Sequence, residues 1–219
     1  YLLITLRTPK QVPVEEAMPG ANARPPINFT TVLDVSGSMR GEKISQAKKA
    51  VEQAMLYLHP GDAFSLVTFE SDVKVPIIAD QVDEATHEAV QKALGSVQAG
   101  GQTALCSGLE TGVKKALEYK RDNKLVLLLS DGQANVGETD LEKVGFRAYE
   151  ARQQGCLVST LGIGMDYNEA LLAEISTQGG GRFYHIENTN QIPAFLAGMQ
   201  RNLHRQLLSF EVELVARHY

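Results

Sequence analysis

The chain has 219 residues, 43% hydrophobic and 21% charged, an ordinary globular composition with length enough for one α/β domain and some additional structure. A formal charge of -5 argues against nucleic acid as the default partner, and no apolar run approaches the ~20 residues of a membrane-spanning helix, which argues against membrane insertion. Two cysteines, Cys106 and Cys156, make neither a disulfide framework nor a zinc site, and leave the redox compartment open.

The first segment, Tyr1–Arg7 (YLLITLR), alternates like a half-buried strand, has no initiating Met and no signal-peptide pattern. It reads as the interior of a longer chain and is silent on location. Residues 9–26 carry five of the eight prolines and read as a linker. From Ile27 the signals alternate between strand and helix. Ile27–Asp34 is an apolar, β-branched strand. Lys43–Leu58 places Ile44, Ala47, Val51, Ala54, Met55 and Leu58 on one helical face, and Pro60-Gly61-Asp62 stops it. Ala63–Glu70 and Val73–Ala79 read as a hairpin, Asp83–Val97 and Ala104–Lys120 as helices. Lys124–Ser130 (KLVLLLS) is nearly all apolar, as a strand covered on both faces should be. Thr139–Gln154 is helical, Leu157–Ile163 a strand, Asn168–Thr177 a helix, Arg182–Ile186 a last strand and Gln191–Leu207 a closing helix.

This alternation predicts a doubly wound, mostly parallel six-stranded sheet with helices on both faces. The expected order is Val73–Ala79, Ala63–Glu70, Ile27–Asp34, Lys124–Ser130, Leu157–Ile163, Arg182–Ile186, with the first, at the edge, antiparallel. The α/β domain is expected over residues 27–202, with residues 1–26 as flanking strand and linker. Residues 203–219 hold the end of the closing helix and a second flanking strand. The flanking strands Leu2–Arg7 and Leu208–Arg217 are expected to pair with each other, as parts of a neighbouring β-rich module. Cys106 and Cys156 fall at opposite rims of the sheet, several residues apart at about 3.3 Å each, too far for a disulfide.

Thr31–Gly41 (TVLDVSGSMRG) is unusual because a buried strand runs into Asp34, with Ser36 and Ser38 following at every second position. In open α/β sheets, ligands bind at the carboxyl ends of strands where the strand order reverses. Asp131 closes the strand Lys124–Ser130, and Thr103 lies in the loop GGQT that opens a helix. If the two strands are neighbours, Asp34, Ser36, Ser38, Thr103 and Asp131 share one rim. Five oxygen donors without His or Cys suit a hard cation, Mg²⁺, with Mn²⁺ or Ca²⁺ as alternatives. Taken singly, these residues also serve as caps and turns.

The motifs DVSGS (34–38), Thr103 in GGQT and Asp131 in LLLSDG resemble the metal-ion-dependent adhesion site of von Willebrand factor type A domains. The resemblance covers about Ile27 to Asn202. The first-loop pattern through MRGEKI is similar to that of inter-alpha-trypsin inhibitor heavy chains and related bacterial proteins. It implies that Ser36, Ser38 and Thr103 ligate directly, that Asp34 and Asp131 act through water or change shells, and that the domain binds proteins without catalysis. A divalent ion held mainly by neutral hydroxyls retains positive charge. Its expected added ligand is an Asp or Glu carboxylate of a partner protein.

Two other readings stand beside this one. A Mg²⁺-dependent phosphatase of the haloacid dehalogenase type also ends its first strand in an Asp, in the pattern DxDGT. Here Ser36 replaces the second acid and cannot protonate a leaving group, and LGIGMD offers only Asp166 for a second acidic pair. An interaction module with a purely structural or empty metal site is the third reading. His59, His87, His185, His204 and His218 are scattered, no nucleophile elbow is present, and Gly179-Gly180-Gly181 precedes a strand and so reads as a turn. Arg40, Glu42 and Lys43 flank the site and read either as charges that tune partner choice or as solvated surface. Cys106 falls in the first turn of a helix, where a thiol pKa can be lowered, but reads as core.

Overall fold

In the computed structural model, which describes residues 2–7, 25–186 and 211–216, the strands form two sheets that belong to separate compact units. The linker over residues 9–24 and the expected closing helix lie outside the described residues. In the smaller sheet β1 (Leu2–Arg7) runs antiparallel to β8 (Glu211–Ala216), Leu2 opposite Ala216 and Arg7 opposite Glu211. The two flanking strands thus pair with each other as expected.

The larger sheet contains β2 (Ile27–Asp34), β3 (Ala63–Phe69), β4 (Val73–Ala79), β5 (Asn123–Ser130), β6 (Cys156–Ile163) and β7 (Gly180–Ile186). Its order is β4-β3-β2-β5-β6-β7, with only the β3–β4 pair antiparallel. The helices are α1 (Glu42–Met55), α2 (Glu84–Ser96), α3 (Leu105–Glu118), α4 (Leu141–Gln153) and α5 (Glu169–Gln178). The last strand starts at Gly180, two residues before the sequence suggested, so two of the three glycines belong to the sheet rather than to a turn.

Alternation along the central strands divides the core between the faces. Val32, Val126, Leu128 and Val158 join Leu105, Leu109 and Ala116 of α3, Val144 and Ala148 of α4, and Leu172 and Ile175 of α5 in one apolar cluster. Phe29, Leu33, Leu125, Leu127 and Leu129 alternate with that set and are also buried, as are Ala47, Val51, Ala54 and Met55 of α1 and Val90 and Leu94 of α2. Each large side chain so enclosed stabilises the fold by ~1.5–3 kcal/mol relative to exposure.

The helix starts follow from local chemistry. Asp83 accepts from the Thr86 amide while the Thr86 hydroxyl side closes a capping box on α2. Asp140 and Asn168 cap α4 and α5 by accepting from the amides of Lys143 and Leu171. Helix α3 lacks a side-chain cap; close packing sets its position instead. A Cβ at Gly112 would stand 2.2 Å from Val32 Cγ2, and one at Gly108 2.6 Å from Phe69 Cδ1. Even alanine at Gly112 would push α3 off β2, and with it the loop that carries Thr103. Cys106 and Cys156 are both free and buried. Among the described residues no helix is long and apolar enough to cross a membrane.

Candidate metal centre

Strands β2 and β5 are adjacent, in register from Ile27 opposite Asn123 to Leu33 opposite Leu129. Their chain continuations leave in opposite directions across the sheet, β2 towards β3 and β5 towards β6. The carboxyl ends of this pair are therefore the point where strand order reverses, and Asp34 and Asp131 stand at those ends.

Asp34 is fully buried. Its Oδ1 accepts from the Ser36 amide at 2.9 Å, and its Oδ2 accepts a short hydrogen bond from the Ser130 hydroxyl. A turn of 3-10 helix at Gly37–Met39 follows; it buries the Met39 side chain and leaves Ser38 exposed. Ser36 Oγ and Ser38 Oγ lie 3.1 Å apart, and Ser38 Oγ donates to Asp131 Oδ1 at 3.1 Å. Asp131 is itself fully buried. Four of the five residues singled out in the sequence thus form one hydrogen-bonded cluster with a buried floor and an exposed lip at Ser38.

Thr103 reaches the same rim by its loop. Gly100 N donates to Val35 O at 2.8 Å, and Gly37 N to Gly101 O at 3.1 Å, so the two loops are laced together by backbone. Thr103 is 1% exposed; its amide donates to Asn135 Oδ1 at 2.8 Å, and its carbonyl accepts from the Asn135 and Val136 amides. Gly101 has φ +73, where a side chain is strained, and a Cβ there would collide with the Glu70 carboxylate.

Electrostatics single out Asp34. Burial pushes its carboxyl up to about 6, against the downward pull of the Ser130 and Ser36 hydrogen bonds, and Asp131 beside it adds to the rise. Among the described residues no basic side chain pairs with Asp34. The Lys43 ammonium instead sits 3.0 Å from Asp131 Oδ2 and 2.7 Å from Asp166 Oδ1. Partial burial pulls that ammonium down, but the two carboxylates outweigh it and hold its pKa above the ordinary value.

The donor set fits a hard divalent cation. Among the described residues no three His, Cys, Asp or Glu side chains are placed to hold a metal ion by themselves, so hydroxyls would have to complete any coordination sphere here. Two carboxylates and the hydroxyls of Ser36 and Ser38 stand within one network, and the carboxylate at its floor is disfavoured as an anion without a cation. A 410 Å³ groove lined by Leu109, Val113, Leu117 and Arg147 between α3 and α4 contains none of these residues.

Two participants did not emerge from the sequence: Ser130 reads only as the end of an apolar strand, and Asn135 carries no assignment. Lys43 does emerge as a charge beside the site, though not its bond to Asp131. Their roles depend on which loop tips meet. For Ser130 and Asn135, only the adjacency of Ser130 to Asp131 offered a signal.

The comparisons agree with this architecture. The family model for the von Willebrand factor type A domain matches residues 28–198. An uncharacterized protein of Synechocystis, sll0103, is 32% identical over 170 residues, covering 77% of this chain and 39% of that protein. The bovine inter-alpha-trypsin inhibitor heavy chain H4 is 31% identical over 165 residues, covering 71% of this chain and 18% of that one. The chain therefore spans between about a fifth and two fifths of the length of these relatives. Among solved structures, a von Willebrand factor type A protein from Catenulispora acidiphila superposes with a TM-score of 0.69 at 21% identity, covering 83% of this chain and 43% of that one. Domains of this kind are protein-interaction modules. By sequence match and by fold, this chain belongs to the von Willebrand factor type A domain family.

Proposed function

We propose that the carboxyl rim of the sheet binds one divalent cation, Mg²⁺ with Mn²⁺ or Ca²⁺ as alternatives, and through it an acidic side chain of a partner protein. Asp34, Ser36, Ser38, Thr103 and Asp131 would hold the ion. The observation that carries this reading is the fully buried Asp34 carboxylate, set among hydroxyls that lead to an exposed Ser38 and without a basic partner among the described residues. Such a carboxylate is costly to ionise alone and favourable beside a cation.

The ion would supply Lewis acidity and residual positive charge at the molecular surface. The chain's own residues do the rest. Asp34 brings negative charge to the floor. Ser36, fully buried, and Ser38, exposed, present neutral oxygens above it. The lacing of Gly37 to Gly101 keeps the Thr103 loop against them. With neutral oxygens in the majority, a partner's carboxylate offers both charge and a hard ligand. No catalytic step is assigned, and the position where a phosphatase would need its acid is Ser36, whose hydroxyl faces Ser38. The β1–β8 pair is assigned to a neighbouring β-rich module.

A pull-down from a source of candidate partners tests this reading. Wild type is expected to retain a partner with Mg²⁺ and release it with chelator, and Asp34→Ala is expected to retain nothing while melting as a folded domain. Binding that survives Asp34→Ala, Ser36→Ala and excess chelator would remove the metal as the recognition element.

A further inference from the structure

Lys43 is the only basic side chain among the described residues that bonds either rim aspartate. Its place is built by three elements. It leaves the first turn of α1, and its stem lies along Gly164 after β6, where a Cβ would come within 2.6 Å of Lys43 Cε. Its ammonium reaches Asp131 at the end of β5 at 3.0 Å and Asp166 beyond β6 at 2.7 Å. The Lys43 side chain is 18% exposed, unlike Asp166 at 76%.

The two oxygens of Asp131 are thereby divided. Oδ1 faces the hydroxyl cluster, accepting from Ser38 Oγ at 3.1 Å and the Gln133 amide at 3.3 Å. Oδ2 belongs to Lys43. A cation arriving at the hydroxyls meets a carboxylate already half neutralised from behind.

We propose that Lys43 is a tethered counter-cation of the metal centre, one that lowers its affinity for divalent ions by holding Asp131 Oδ2. This rests on the metal reading above and deepens it. The ammonium holds the two loops in place when no ion is bound. When one is bound, it leaves more of the ion's charge for a partner's carboxylate. A unit charge a few ångströms from a divalent ion opposes it by on the order of tenfold or more in affinity at the dielectric of a partly buried site.

The test is calorimetric titration of Mn²⁺ at low ionic strength into wild type, Lys43→Met, Lys49→Met, Asp166→Asn and Ser36→Ala, each checked for folding by its melt. Lys43→Met keeps the apolar stem against Gly164 and removes only the charge. It is expected to bind Mn²⁺ roughly tenfold tighter or better. Lys49→Met, the same charge change at an exposed position on the same helix, is expected to stay within about twofold of wild type, since exposed charges are screened. Asp166→Asn is expected to bind more weakly, because it removes an anion and leaves the ammonium wholly to Asp131.

Unchanged or weaker binding in Lys43→Met overturns the role given to Lys43. Should that variant not fold, an unchanged affinity in Asp166→Asn overturns it instead. The two readings separate through the controls. Wild type that binds while Ser36→Ala does not keeps the metal centre whatever Lys43→Met does. If neither wild type nor Lys43→Met takes up the ion, both readings fall.

Discussion

The amino rim of the large sheet buries one aspartate and the carboxyl rim two, in different surroundings. At the amino rim Asp62, 1% exposed, accepts from the Ile27 amide at 2.9 Å and the His59 amide at 2.7 Å, tying the start of β2 to the turn after α1. Arg121 reinforces that rim by donating to Gly61 O at 3.0 Å and pairing with Asp80. Each of those carboxylate oxygens meets a backbone donor that needs an acceptor. At the carboxyl rim Asp34 also accepts hydrogen bonds, but its surroundings are Ser36, Ser38, Ser130 and a second buried carboxylate. Burial alone does not separate the two; hydroxyls and a second carboxylate surround Asp34, whereas backbone amides of two chain segments bond Asp62.

This contrast can be broken most forcefully at Asp62. Asp62→Ala leaves the buried Ile27 amide and the partly buried His59 amide without acceptors, the first costing ~1–3 kcal/mol and the second less. Chemical denaturation should therefore show a loss of roughly 3 kcal/mol, with divalent affinity unchanged in the surviving folded fraction. A small loss would mean that the amino rim is not braced by this carboxylate.

The next effect, nearly as large, is a pH dependence at Asp34. Its folded pKa is raised from 3.8 to about 6 by burial, so between those values the unfolded chain has lost a proton that the folded chain keeps. Stability of the metal-free domain should then fall as pH rises through this window, by about 3 kcal/mol in all at ~1.4 kcal/mol per pKa unit. The contribution is present below pH 3.8 and gone above about 6. Saturating Mg²⁺ should erase the fall, because binding releases that proton. Asp34→Asn should erase it without metal. Urea unfolding across pH 4–7 measures all three; a flat profile for metal-free wild type contradicts the assignment.

A smaller change is expected at Gly101, whose φ of +73 disfavours a side chain. Gly101→Ala should destabilise by about 1–2 kcal/mol and weaken metal binding by loosening the Thr103 loop, both readable in one set of melts with and without Mg²⁺. The smallest effect concerns the thiols. Burial pushes Cys156 up to about 12 and also raises Cys106, with Glu110 adding to the rise, so the start of α3 does not activate its cysteine. Neither thiol should alkylate at pH 8 in the folded chain, and both should on unfolding. Mass spectrometry of iodoacetamide-treated protein distinguishes the cases.

Much of this was legible in the sequence because the signals are local and periodic. The apolar run KLVLLLS reads as a strand covered on both faces, and the alternation of strands and helices, interrupted by the β3–β4 hairpin and the α2–α3 pair, points to a mostly parallel sheet. The opening DVSGS loop is legible too, since Asp34, Ser36 and Ser38 are near in sequence. What escaped are contacts between loop tips. Lys43 and Asp131 are 88 positions apart and Ser130 and Asp34 are 96 apart, and no periodicity links them. The turn at Gly37–Met39, which buries Met39 and turns Ser38 outward, depends on the Gly37–Gly101 bond and so on tertiary packing.

On the proposed function, Asp34 is buried for the sake of a cation, whereas Asp62 is buried for the sake of the backbone. Calorimetric titration of Mg²⁺ at pH 7 into wild type and Asp34→Ala tests it most directly. The expected result is a saturable isotherm with one ion per chain in wild type and none in Asp34→Ala, which still melts cooperatively. Equal binding by the two proteins, or no saturable binding by wild type, would contradict it.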